Sequence, residues 1–255
     1  MEVTLRDILP KAYKEHRAVL QFNIYTLEDI VGIIEAGYEL DLPVIVACTP
    51  TILNQLGGRS VVGVYRSLAD YCSTPIVLHL DRAVDLKDAW RAVSLGFTSV
   101  MIDGSGMTYE ENVKLTSTVV EVARAAGISV EGKITSRIEA YEITDPDLAY
   151  SFLLETEVDV LEVAVKKANL IDFETLERIN RRLKIPLALR KEPEISVEDI
   201  KRSVVLGITK VSIEEKAPPV VTGTYREIVF REKERLKETV KELMLNIGGV
   251  KTSIF

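Results

Sequence analysis

Cysteine and histidine are scarce in this chain of 255 residues, which contains two of each. The cysteines, Cys48 and Cys72, form no CxxC pair, so the sequence indicates neither a disulfide framework nor a thiolate zinc site, and a reducing cytoplasm fits best. Aromatic residues make up only 6% of the chain, which predicts an aliphatic core. No segment approaches the ~20 apolar residues of a membrane span. The N-terminus mixes acids and bases at helical spacing, unlike a secretory signal.

The chain also lacks an excess of positive charge. Its formal net charge is −7, which argues against a nucleic-acid groove, because such a groove needs a basic face to neutralise phosphates. Charged residues nevertheless make up 28% of the chain. Abundant Glu, Lys and Arg beside so few histidines are typical of a thermophilic protein.

Short β-branched runs recur at regular intervals, and each is followed by a longer stretch with apolar residues at every third or fourth position. This alternation predicts βα units with buried parallel strands. The predicted strands are 18–24, 43–49, 75–81, 99–105, 129–134, 160–165, 186–191 and 210–215. Eight such units favour a single-domain (β/α)8 TIM barrel over 1–255, with one closed parallel sheet, rather than an open doubly wound sheet.

Helix ends follow the same repeat. Gly96 and Gly207 each precede a predicted strand and are expected to end helices in the left-handed conformation, as is the Ala-Gly pair at 126–127. A charged segment at about 224–244 carries opposite charges at i,i+4 spacing and predicts an extended C-terminal helix. Its aliphatic stripe is expected to pack on the barrel or on a partner subunit.

The active site of such a barrel lies at the carboxyl ends of the strands. Polar residues are dense there: Asn23, Thr49, His79, Asp81, Arg82, Asp103, Ser105, Glu131, Lys133, Lys166, Lys167, Asn169, Arg190, Lys191, Ser212, Glu214 and Glu215. A ring of mixed charge indicates either a working site or mutual neutralisation. For His79, between Leu78 and Leu80, we favour a core histidine with one backbone partner.

Several segments resemble one known family, the class II fructose- or tagatose-bisphosphate aldolases. They are AVLQFNIYTLE, LPVIVACTPT, PIVLHLDRA, GFTSVMIDGS with the YEENVKLTSTVVEVARAAGISVEG that follows it, and KVSIEE before a long helix. The similarity covers nearly the whole chain, and HLD combined with the MIDGS strand and the ENVKLT helix is a specific combination. The resemblance implies a barrel fold, carbon–carbon lyase activity in carbohydrate metabolism and a homodimer or homotetramer. It also places the proton-transfer carboxylate at Asp81.

The metal ligands that the resemblance implies are replaced in this chain. Arg82, Asn169 and Arg190 stand at the positions of the family's three zinc histidines, and Lys133 stands where the family has a glutamate. A catalytic zinc needs about three neutral imidazole or carboxylate ligands. Besides His79 the chain has only His16, which precedes the first strand at the opposite end of the barrel. We therefore predict no metal and no other cofactor.

The family's glycine phosphate loop is also missing, since KEPEIS follows strand seven. Phosphate could then bind only through charged side chains. A carboxylate magnesium site from Asp81, Asp103 and Glu131 is disfavoured, because Arg82 and Lys133 compete for the same oxygens. The Asn of the family's strand-eight motif is Ser212 here.

The sequence thus leads to two functional hypotheses. The first is a metal-free aldolase or lyase acting on a sugar phosphate or a small carbonyl compound. It uses fixed cations in place of zinc, or an imine-forming lysine among Lys133, Lys166 and Lys191. Its predicted catalytic residues are Asp81, Lys133, Arg82 and Arg190, and its predicted substrate-binding residues are Asn23, Thr49, Asp103, Ser105, Glu131, Lys166 and Lys191.

The alternative is a non-catalytic paralogue with an ion-paired barrel mouth, serving as a metabolite-binding or protein-interaction module. A barrel designed or reconstructed for stability would have the same sequence features. Under both hypotheses the expected partners are a small phosphorylated metabolite and copies of the same chain, with no nucleic acid and no membrane. The geometry of the mouth distinguishes the hypotheses: cations closed onto Asp81, Asp103 and Glu131 favour the alternative, and an open pocket favours the enzyme.

Overall fold

A computed structural model describes residues 1–138, 141–167, 170–213 and 224–247 of the chain. Its strands are β1 Val19–Asn23, β2 Val44–Cys48, β3 Ile76–Ala83, β4 Ser99–Ile102, β5 Ser129–Ile134, β6 Ser136–Ile138, β7 Tyr141–Ile143, β8 Val160–Val163, β9 Lys166–Lys167, β10 Leu170–Ile171, β11 Leu187–Lys191 and β12 Ile208–Ile213. Its helices are α1 Leu5–Lys14, α2 Leu27–Leu40, α3 Pro50–Leu56, α4 Gly58–Ala69, α5 Leu86–Leu95, α6 Tyr109–Ala125, α7 Pro146–Thr156, α8 Phe173–Leu183, α9 Val197–Val205 and α10 Tyr225–Ile247.

Eight parallel strands close into a barrel in the order β1, β2, β3, β4, β5, β8, β11 and β12, with β12 returning to β1. The predicted (β/α)8 barrel is confirmed, and each of the eight predicted runs overlaps a barrel strand. Strand β4 ends earlier than predicted, at Ile102, while β3 continues to Ala83. The four other strands form two antiparallel hairpins, β6 with β7 and β9 with β10, in the connections after β5 and β8.

Alternation along each strand divides the core into two parts, because successive side chains point to opposite faces of the sheet. On β1, Leu20 and Phe22 belong to the large cluster between the sheet and the helices, while Val19 points into the barrel. Val19 packs there with Ile45, Val77 and other inward residues against α1. Helix α1 therefore closes the amino end of the barrel, and the opposite end forms its mouth.

Glycines end the helices where the sequence predicts them to do so. Gly96 has a φ of 88° and directly follows α5, and Gly127 and Gly207 have φ values of 75° and 107°. A Cβ atom on Gly207 would also lie 2.4 Å from the side chain of Asn180. Glycine is therefore required at 207 both for its backbone conformation and for the close packing of α8.

The C-terminal helix is confirmed as α10, and the structure shows what it covers. Leu236, Val240, Met244 and Ile247 are buried in the main core, and the helix packs along α2 on the outside of the barrel. Among the described residues, no helix is long and apolar enough to cross a membrane. The predicted mouth residues Asn169, Glu214 and Glu215 lie outside the described residues.

Candidate active site

Asp81 lies at the centre of the barrel mouth. Its carboxylate is fully buried and accepts a hydrogen bond from Asn23 Nδ2 at 2.9 Å. Arg190 Nη2 lies 3.2 Å from one carboxylate oxygen and Arg82 Nε lies 3.4 Å from the other. Burial by itself would raise the pKa of Asp81, but Arg190 and Lys210 together with the Asn23 hydrogen bond hold that pKa well below its usual range. Asp81 is therefore an ionised carboxylate between two guanidinium groups.

The charge network continues across the mouth to β5. Arg190 also contacts Glu162 at 3.3 Å, and Lys133 contacts the same carboxylate at 3.6 Å. Lys133 in turn lies 3.1 Å from Asp103, whose other oxygen accepts hydrogen bonds from the backbone and hydroxyl of Ser105. Burial opposes ionisation of Asp103, but Lys133 and Ser105 hold its pKa below the usual value. Acids and bases thus alternate around the mouth.

Arg82 has an unusual backbone conformation. Its φ is 59°, in the left-handed region that non-glycine residues seldom occupy, at the place where the pairing of β3 and β4 shifts register. Holding a non-glycine residue in this region costs about 1–3 kcal/mol of stability, and such residues concentrate at functional sites. The conformation places a guanidinium group that is one-third exposed beside the buried carboxylate of Asp81.

A second layer of charge lies below the mouth, inside the barrel. Lys210 is fully buried, with Nζ 2.8 Å from Glu131 and 3.2 Å from the hydroxyl of Ser212. Burial raises the pKa of Glu131 above its usual range, and Lys210 opposes that shift. Gln21 donates from Nε2 to Asn23 Oδ1, so this layer also supports the amide that holds Asp81.

His79 is a buried core residue, but its partner differs from the one predicted. Nδ1 lies 2.8 Å from the hydroxyl of Ser99 rather than a backbone group, and Nε2 lies 3.6 Å from Glu131. Burial is the main cause that lowers its pKa well below the usual value, and Lys210 adds to the shift. His79 is therefore neutral at physiological pH.

Three other predicted residues lie apart from this network. Thr49 caps α3, since its hydroxyl accepts a hydrogen bond from the backbone of Ile52. Lys166, in the hairpin after β8, forms ion pairs with Glu192 and, at 3.6 Å, with Glu194. Lys191 is the partly buried last residue of β11. Their part in substrate binding stays a prediction.

Reading only the strand ends missed Gln21, Glu162 and Lys210. Each lies within a largely apolar strand. Gln21 and Lys210 lie two residues before the inward-facing polar residues Asn23 and Ser212, and Glu162 lies two residues after the inward-facing Val160. A charged residue inside a buried run, in phase with the inward positions, is the signal that would have found them. A long side chain at such a position places its charge nearer to the mouth, and the ammonium group of Lys210 accordingly reaches the hydroxyl of Ser212.

Metal ligation has little support from the described geometry. No group of three or more His, Cys, Asp or Glu side chains in the described part of the chain is arranged to hold an ion. Arg82 and Arg190 instead direct two guanidinium groups at Asp81. The described residues at this end of the barrel therefore do not fit a zinc centre.

Comparison with known proteins agrees with this architecture. The family model described as fructose-bisphosphate aldolase class-II matches residues 3–250. The chain belongs to this family. The D-tagatose-1,6-bisphosphate aldolase subunit GatY of Klebsiella oxytoca is 33% identical over 229 residues, which cover 83% of this chain and 80% of that protein.

Solved aldolase structures show the same barrel. The YdjI aldolase of Escherichia coli K12 superimposes with a TM-score of 0.86 at 26% identity, covering 98% of both chains. The fructose-bisphosphate aldolase Fba of Campylobacter jejuni gives a TM-score of 0.84 at 16% identity, covering 99% of this chain and 97% of that one, and supports the fold alone.

Proposed function

We propose that this class II aldolase relative is a carbon–carbon lyase that works without zinc and uses fixed side-chain cations in its place. The observation that carries the proposal is the convergence of Arg82 and Arg190 on Asp81, at 3.4 and 3.2 Å. Lys133 joins the same network through Glu162. Preorganised charge in a site shielded from water stabilises a developing oxyanion by several kcal/mol.

The reaction that this arrangement supports is aldol cleavage. A base removes the proton of the β-hydroxyl group, the Cα–Cβ bond breaks, and its electron pair forms an enolate whose oxygen faces the cations. Asp81, the family's proton-transfer position by resemblance, accepts that proton, which then passes to the enolate carbon. Because neighbouring cations hold the pKa of Asp81 low, the carboxylate is a weak base but returns the proton readily.

We propose that fixed side-chain cations, rather than an imine formed with a lysine, stabilise the enolate. An imine-forming lysine must lose its proton before it attacks a carbonyl group. Lys133 lies between Asp103 and Glu162, and two carboxylates stabilise its ammonium form. At Lys166, the hydrogen bond that its ammonium group donates to Glu192 raises the pKa, which also disfavours the neutral amine.

Arg82 and Arg190 close onto Asp81 and Lys133 closes onto Asp103, and this closed geometry by itself favours the non-catalytic alternative. The relatives nevertheless carry the names of aldolases, and Arg82, Lys133 and Asp103 keep part of their surface open to the mouth. We therefore place the enzyme first. By the same resemblance we propose a homodimer or homotetramer.

The test is aldol cleavage by chelator-treated protein, with a panel of phosphorylated and unphosphorylated β-hydroxy ketones. We expect turnover without added metal, a loss of at least about 100-fold in Arg190→Met, and a smaller loss in Arg190→Lys, which keeps the charge. Arg181→Met is the matched control, since Arg181 pairs with Glu177 on the outer helix α8.

Circular dichroism confirms that the variants fold. Borohydride treatment during turnover should add no mass to any lysine. Activity that appears only after zinc is added, or no cleavage of any member of the panel, would refute the proposal.

A further inference from the structure

A cavity opens beside the mouth, between the turn after β1 and the first half of α10. It has a volume of about 190 Å³. Asn23, the residue that donates a hydrogen bond to Asp81, is one of its lining residues. Apolar walls come from Tyr25, Ile228, Val229 and Leu236. A small group attached to a substrate at Asp81 can therefore extend into this cavity.

The charges around the cavity do not suit a phosphate. Glu28, Asp29 and Glu232 line it along with two cations. Each cation is already engaged by a carboxylate: Arg235 lies 2.8 Å from Glu232, and Lys233 lies 3.1 Å from Glu35. An anion placed there would meet a surplus of negative charge in a partly desolvated space.

The described ion-pair network of the mouth is charge-balanced. Among the described residues, its network and the layer below contain four carboxylates, Asp81, Asp103, Glu131 and Glu162, and four cations, Arg82, Lys133, Arg190 and Lys210. Beyond the mouth, Lys166 is held by Glu192 and Glu194. A phosphate dianion bound within this network would have to displace a carboxylate from its cation, whereas a neutral carbonyl oxygen can share the donors.

We propose that the site accepts an uncharged hydroxy-ketone or hydroxy-aldehyde with an apolar substituent, which lies in the cavity between the β1 turn and α10, rather than a phosphorylated sugar. This inference rests on the proposed function, since it takes the carbonyl group to bind at Asp81 and its cations.

The test is isothermal titration of chelator-treated protein with hydroxyacetone, 1-hydroxyhexan-2-one and dihydroxyacetone phosphate. The hexanone carries three more methylene groups than hydroxyacetone, and their burial should tighten binding at least about tenfold. We expect the phosphate to bind more weakly than hydroxyacetone at low ionic strength.

A matched pair of variants locates the binding. Ile228→Trp fills the cavity and should remove the advantage of the hexanone, while Phe230→Trp, on the exposed side of the same helix, should leave it unchanged. The inference is overturned if the phosphate binds most tightly, if Ile228→Trp changes nothing, or if none of the three ligands binds.

Turnover is measured separately, so that the two proposals can fail independently. A protein that binds the hexanone as expected but cleaves no aldol refutes the lyase and leaves this inference standing. A protein that cleaves aldols but prefers phosphate refutes the inference alone.

Discussion

Lys210→Met is the perturbation whose energy follows most directly from the structure. Lys210 and Glu131 form a fully buried ion pair at 2.8 Å inside the barrel. Removing one partner of such a pair costs about 3–5 kcal/mol, because an uncompensated charge remains in a medium of low polarity. Against a typical total stability of about 5–15 kcal/mol, this is a large loss. Urea denaturation at about pH 9, where Glu131 is ionised in the wild type because its folded-state pKa is about 7, measures it.

Two comparison variants show whether the loss comes from the buried charge. The double variant Lys210→Met/Glu131→Gln leaves no charge behind and should recover most of the loss. Arg124→Met breaks an exposed ion pair with Glu157 and should cost only about 0.2–1 kcal/mol. The reasoning fails if Lys210→Met costs under about 1 kcal/mol, or if the double variant is no more stable than the single one.

The same variant has a predictable pH dependence. Burial raises the pKa of Glu131, and the variant removes the lysine that opposes the shift. A carboxyl whose folded-state pKa is raised contributes stability below its unfolded pKa and loses that contribution as the pH rises through the folded value. Lys210→Met should therefore regain stability relative to the wild type as the pH falls from about 8 to about 5.

Three further predictions concern single residues. The folded-state pKa of Asp81 is lowered, so its ionised carboxylate stabilises the fold above the unfolded-state pKa, and this stability is lost as the pH falls below about 4. Asp81→Asn should therefore lose less stability than the wild type between about pH 4 and 2. Equal losses in urea denaturation would contradict this prediction. Burial raises the pKa of Cys48 to about 12, so iodoacetamide at about pH 8 should label it at least about a hundredfold more slowly in the native than in the unfolded protein, and fast native labelling would show an exposed thiolate. Gly207→Ala should cost about 1–3 kcal/mol in thermal unfolding, and more than Gly127→Ala, because only the former meets a neighbouring side chain; equal costs would reject the packing argument.

The fold was predictable because its signals are local. Residues 43–49 form an apolar run rich in β-branched residues, and such a run becomes a strand once both of its faces are buried. Strand β4 ends at Ile102, and the backbone of Asp103 then donates to Ala83 on β3, beyond the register shift in which Arg82 has its left-handed conformation. No pattern in a single strand records such a shift between two strands.

The site was predictable only in part. The strand-end rule found Asp81, Arg82, Lys133 and Arg190, since it needs only the direction of a parallel strand. It could not say which cation meets which carboxylate, because those distances depend on the tilt of the strands and the length of the side chains. Glu162, which links Arg190 to Lys133, lies within an apolar run and was missed for that reason.

The network constrains how this barrel can be related to a zinc aldolase. Glu162 contacts both Arg190 and Lys133, and Asp81 contacts both Arg190 and Arg82, so each cation compensates a carboxylate that another also holds. Changing Arg190 alone to histidine would supply one imidazole ligand. Arg82 and Lys133 would still lie beside the zinc ion, and the buried carboxylates of Asp81 and Glu162 would lose part of their charge compensation. We therefore expect Arg190→His to lose stability without gaining zinc affinity, and zinc binding to require that Arg82, Lys133 and Arg190 change together.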